Sequence, residues 1–172
     1  MTPEQKDALA GIAVALLLIQ TTERVIKLCM TFVLQQSSPL TLEILERQKK
    51  VERKKTLGYF LTELRKRADL DPGFDALLED FLEKRNTLVH SFGELPEYSL
   101  NTESGLAAAN VFVRDLIDVT ENVLKVFMGL VRAWEEQTGI QSGAVVNHPF
   151  FTDVEAAYKP LVNEVFFKKS DR

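Results

Sequence analysis

Residues 74–92, FDALLEDFLEKRNTLVHSF, place apolar side chains at Phe74, Leu77, Leu78, Phe81, Leu82, Leu88 and Val89. Steps of three, four and seven residues line one face of a helix, so the stretch is predicted to be helical throughout. Between Leu82 and Leu88 the stripe is broken by Glu83, Lys84, Arg85, Asn86 and Thr87. A hydrophobe would fit at Arg85, which follows Phe81 by four residues and Leu78 by seven. A charged residue that contradicts an otherwise consistent pattern marks a candidate site.

Upstream, Asp71-Pro72-Gly73 is a turn signal with Asp71 as helix cap. A further helix is expected from about Thr41. It begins with Leu42, Ile44 and Leu45, then turns basic through Arg47, Lys49, Lys50, Arg53, Lys54 and Lys55. Gly58 reads as a break, after which Leu57, Phe60, Leu61 and Leu64 carry the helical pattern across residues 56–67. Downstream, residues 93–101 form a polar loop with Pro96, and a long helix is expected over 102–137. At the start of the chain, Thr2-Pro3-Glu4 supplies a cap, a first-turn proline and a first-turn acid. No breaker follows until Ser37-Ser38-Pro39, apart from Gly11, which a helix absorbs. Strand alternation and internal repeats are not visible. The reading is an all-α single domain over 1–172, an antiparallel helical bundle of about four to five helices joined by short connections.

The 172 residues suffice for one domain with a full core, and 45% hydrophobic and 27% charged residues are ordinary for a globular chain. A net charge of −4 gives no global attraction to nucleic acid or to an anionic membrane. The single cysteine, Cys29, cannot form an intrachain disulfide and lies in apolar surroundings, which suits a reduced, buried thiol and a cytoplasmic location. The apolar run at residues 8–19 is twelve residues long, short of the roughly twenty that span a bilayer, and no basic segment precedes it. It reads as a helix buried on most faces, in the core or at a subunit interface, with no membrane role. The segment 148–167 carries Phe150, Phe151, Tyr158, Leu161, Val165 and Phe166 and is expected to pack on the bundle or on a partner. Two histidines and one cysteine give no metal-site spacing, and no Gly-rich phosphate loop is present, so neither metal nor cofactor is expected.

Arg85 and His90, five residues apart with Asn86 directly after the arginine, resemble the arginine–(four to six residues)–histidine motif of the HEPN superfamily. "EKRNTLVHSF" is close to the "RN-x-L-x-H-x-F" core of bacterial HEPN-like proteins, and the preceding helix, with Lys55 to Phe60, and the long following helix also match. The similar region spans residues 41–134. The resemblance implies a metal-independent endoribonuclease acting as a homodimer, as a toxin or phage-defence component with an antitoxin-like partner. It implies catalytic roles for Arg85, His90 and Asn86. The same superfamily holds nucleotide binders and inert dimerisation modules. One departure is Phe92. Toxins paired with nucleotidyltransferase antitoxins often carry there a tyrosine that can be modified with AMP, which Phe92 cannot accept.

The chemistry suits these residue types. Cleavage of RNA by its own 2′-hydroxyl needs a base that works near neutral pH, which histidine supplies. A guanidinium stabilises charge building on phosphorane oxygens. Lys84, Arg53, Lys54 and Lys55 are the candidate contacts to an RNA backbone. A structural role also fits. Arg85 has no acid three or four residues away on its own helix, so a partner such as Asp115 or Asp118 would come from a neighbour. His90 then serves as a satisfied interface residue, and the chain as a helical dimerisation or regulatory module. In a regular helix Arg85 and His90 stand about 140° apart, whereas Asn86 and His90 share a face.

Overall fold

The computed structural model describes residues 1–34, 55–139 and 166–168, with α-helices α1 (Pro3–Leu28), α2 (Leu57–Arg67), α3 (Pro72–Asn86) and α4 (Glu103–Thr138). A two-stranded antiparallel ribbon joins β1 (Ala68–Leu70) to β2 (Phe166–Lys168), with Ala68 opposite Lys168 and Leu70 opposite Phe166. The described residues are all-α apart from this ribbon, which sequence reading missed because three residues are too few to show alternation. The helix expected from about residue 41, with its basic run as far as residue 54, and 148–165 of the aromatic segment lie outside the described residues.

Local chemistry sets the helix starts. Thr2 Oγ1 accepts from Gln5 N–H at 3.3 Å while Thr2 N–H donates to Gln5 Oε1 at 2.8 Å, a reciprocal capping box ahead of Pro3. Thr56 caps α2, Asp71 caps α3 by accepting from Gly73 and Phe74 N–H, and Thr102 caps α4. The Thr56 cap places Gly58 inside the first turn of α2, so Gly58 does not break that helix. Helix α4 ends at Gly139, whose φ of 70° is the left-handed cap conformation that glycine adopts without a Cβ penalty.

The bundle is antiparallel only in part. Phe74 meets Phe127, Lys84 meets Asp115 and Phe92 meets Phe112, so α3 and α4 run in opposite directions. Arg65 of α2 pairs with Asp75 and Glu79 of α3, again antiparallel, Gly58 facing Leu82 at the other end. Helix α1, however, runs parallel to α4. A Cβ at Gly11 would lie 3.4 Å from Val113, and the Cys29 thiol donates to Phe127 O at 3.5 Å. Short connections impose antiparallel packing only on consecutive helices. The shared core is built on Ile26, Leu61, Leu64, Leu78, Phe81, Leu116, Leu124 and Phe127, all fully buried.

Within a single chain, helix α1 is not buried on most faces, so the core alone does not cover it. Leu9, Val14 and Leu17 are exposed, Leu17 at 65%. The helical stretch Pro3–Thr31 is long and apolar enough, by length and composition, to cross a membrane, and 28% of its most apolar window is buried against the bundle. An apolar face thus stays open on the chain.

Candidate functional site

The interrupted stripe is where α3 ends. The helix continues past Asn86 as a π-turn over Thr87–Ser91 and then a 3-10 turn over Phe92–Glu94. A π-turn bonds residues five apart along the backbone. Entered between Arg85 and His90, its wider winding removes part of the angle that regular helical geometry puts between them. The long arginine side chain closes the remainder, and Nη1 of Arg85 lies 3.2 Å from Nε2 of His90.

Each guanidinium nitrogen has a partner. Nη1 also donates to Asn86 Oδ1 at 3.1 Å, Nε donates to Glu23 Oε1 at 2.9 Å, and Nη2 lies 2.9 Å from the same oxygen. Arg85 has only donors, so Nη1 donates to His90 Nε2 in the tautomer that carries the imidazole proton on Nδ1. The motif thus unites Arg85, Asn86 and His90 and adds Glu23 of α1, a residue that sequence reasoning did not single out. Glu23 and Arg85 are both largely covered, with side chains 18% and 19% exposed, whereas Asn86 and His90 are open to solvent. The arginine end of the cluster is structural in character and the histidine end is accessible.

The other candidates are placed less suggestively. Lys84 binds Asp80 one turn back and Asp115 of α4, the latter at 3.1 Å. Partial burial opposes its charge, but the hydrogen bonds and attraction of the two carboxylates outweigh that and hold its pKa above the ordinary lysine value. Asp115, expected as a partner for Arg85, therefore serves the neighbouring lysine. Lys55 is exposed and lies over the Tyr59 ring, 4.1 Å from its centroid, without approaching the motif through any contact. Arg65 is held by Asp75 and Glu79, Lys66 pairs with Glu63, and Arg67 donates to Met30 O.

Phe92, two residues after His90, is buried. Its ring stacks on Tyr98 at 5.0 Å with 9° between planes and lies 5.6 Å from Phe112. This aromatic trio anchors the end of the motif helix to α4. Beside it an open groove is lined by Tyr98, Ala107, Ala108, Val111, Phe112 and Asp115 and does not include the motif. Among the described residues no group of three or more His, Cys, Asp or Glu is disposed to hold a metal ion.

Comparison of this chain with protein-family models, with curated proteins and with solved structures finds no match.

Proposed function

We propose that the chain is an endoribonuclease of HEPN type that cleaves RNA without metal through Arg85, Asn86 and His90. The observation that carries the reading is the 3.2 Å approach of Arg85 Nη1 to His90 Nε2 at the accessible end of the motif helix. In the proposed reaction the RNA 2′-hydroxyl attacks the adjacent phosphorus and gives its proton to a histidine. The O2′–P bond forms as the P–O5′ bond breaks. The leaving O5′ takes a proton from an acid, and the products are a 2′,3′-cyclic phosphate and a 5′-hydroxyl. At rest, His90 Nε2 holds an arginine N–H on its lone pair. A phosphate that draws Nη1 toward itself frees that lone pair, which couples substrate binding to release of the base.

One chain carries one such histidine, so a base and an acid together call for two copies. We therefore propose a homodimer, placed in the cytoplasm as a toxin or defence component restrained by an antitoxin-like partner. Incubation of the pure protein with RNA in EDTA tests the activity. Cleavage that vanishes in folded His90→Ala supports it, and equal behaviour of the two proteins removes it.

The Arg85–Glu23 ion pair favours a second reading, a helical dimerisation or regulatory module in which the motif only ties α1 to α3. That reading expects Arg85→Ala to lower stability while no RNA is cleaved by the wild-type chain.

A further inference from the structure

Glu23 is the one residue of the cluster that comes from outside the motif helix. It sits 62 positions before Arg85 in sequence. Its place on α1 is fixed by buried neighbours on both sides, Ile19, Thr22, Val25 and Ile26. One carboxylate oxygen, Oε1, takes both Nε and Nη2 of Arg85 at 2.9 Å. That grip fixes the plane of the guanidinium from the bundle side and turns Nη1 outward, onto Asn86 and His90. Nη2 keeps a second N–H, for which the described residues supply no partner. An incoming phosphate can take that donor and Nη1 without displacing Glu23.

We propose that Glu23 is the positioning residue of the site: through Nε and Nη2 it holds Arg85 in the orientation that presents Nη1 to His90 and to a substrate phosphate. The assignment deepens the ribonuclease reading and rests on it for its kinetic consequence. It follows that α1, which lies outside the 41–134 region of family resemblance, is a working part of the site. The residue acts by geometry rather than by touching the reacting atoms. Misorientation of a charged group by about an ångström costs on the order of a hundredfold in rate.

The test uses full-length Glu23→Ala and Glu23→Gln, each checked for native circular dichroism. Glutamine keeps an oxygen that accepts from Nε, whereas alanine keeps none. The first readout needs no activity: the Arg85 Nε–H resonance, assigned by its loss in Arg85→Lys. It is expected to be distinct and slow to exchange in the wild type and in Glu23→Gln, and to collapse to the position of a free arginine in Glu23→Ala. The second is the split of kinetic constants on RNA. Glu23→Ala is expected to lose kcat by about ten- to a hundredfold with KM changed by less than about threefold, and Glu23→Gln to recover most of the loss. An Arg85 Nε–H signal unchanged in Glu23→Ala, or cleavage unchanged in that variant, overturns the proposal. A wild type that cleaves nothing while the Nε–H signal collapses in Glu23→Ala removes the ribonuclease reading and keeps the contact as the anchor of Arg85.

Discussion

His90 Nε2 and Arg85 Nη1 stand 3.2 Å apart although regular helical winding would point their Cβ atoms in quite different directions. The π-turn over Thr87–Ser91 and the reach of the arginine bring them together, and Glu23 fixes the arginine from behind. The fork of the guanidinium is what allows three partners at once. Lysine offers a single ammonium and no plane. Arg85→Lys is therefore expected to keep native circular dichroism and to lose cleavage by on the order of tenfold or more, measured as initial rates on RNA.

Removing the arginine altogether should be felt in stability. Arg85→Ala leaves the largely covered Glu23 carboxylate without its guanidinium partner. The expected cost is about 1–3 kcal/mol in urea unfolding, the range for losing hydrogen bonds to a charged group in a covered site. Glu23→Ala with Arg85→Ala in one chain should cost less than the two single changes together, since the orphaned charge is then absent.

The start of α4 leaves no room at Gly105. A Cβ there would lie 2.1 Å from Ser99 O and 2.7 Å from Thr102 Oγ1, the capping oxygen that Gly105 N–H itself binds. Gly105→Ala must displace backbone, and the expected destabilisation is about 1–3 kcal/mol, read from the midpoint shift in chemical denaturation. Gly93→Ala, where a Cβ meets nothing within 4 Å, serves as the control and should shift little.

Cys29 is fully buried, with its thiol donating to Phe127 O, and burial pushes its pKa far above the ordinary thiol value. The thiolate is the reactive form, so a maleimide or dithiobis-nitrobenzoate reagent should leave the native chain unlabelled at pH 8 and modify one thiol in denaturant. Fast labelling of native protein would place Cys29 at the surface.

Much of this was legible in the sequence. The caps at Thr2 and Asp71, the core stripe Phe74–Leu78–Phe81 and the long helix now running Glu103–Thr138 follow from spacing and capping chemistry. Arg85 announced itself as a charge on an apolar stripe. Its partner did not. Asp115 and Asp118 were equally reasonable, and the choice of Glu23 depends on α1 and the motif helix both packing on α4, a tertiary fact that no local pattern encodes. The π-turn was hidden for a similar reason, since Thr87-Leu88-Val89-His90-Ser91 continues a helical pattern and the wider winding belongs to the folded backbone. The open face of α1 was masked by its composition: Leu9, Val14 and Leu17 are as apolar as the buried Ala15 and Ile19.

That face gives the proposed homodimer a testable surface. Leu17, the most exposed of the three, is the place to introduce a charge. The wild type is expected to run as a dimer in light scattering and Leu17→Glu as a monomer with unchanged helicity. A Leu17→Glu protein that stays dimeric assigns the interface to another face.

The most direct measurement is product analysis after wild-type and His90→Ala proteins have been incubated with a defined single-stranded RNA in EDTA. The wild type is expected to leave 2′,3′-cyclic phosphate and 5′-hydroxyl ends, and folded His90→Ala to leave the RNA intact. Intact RNA with both proteins, or the same cleavage by both, contradicts the assignment of Arg85, Asn86 and His90 as a ribonuclease site.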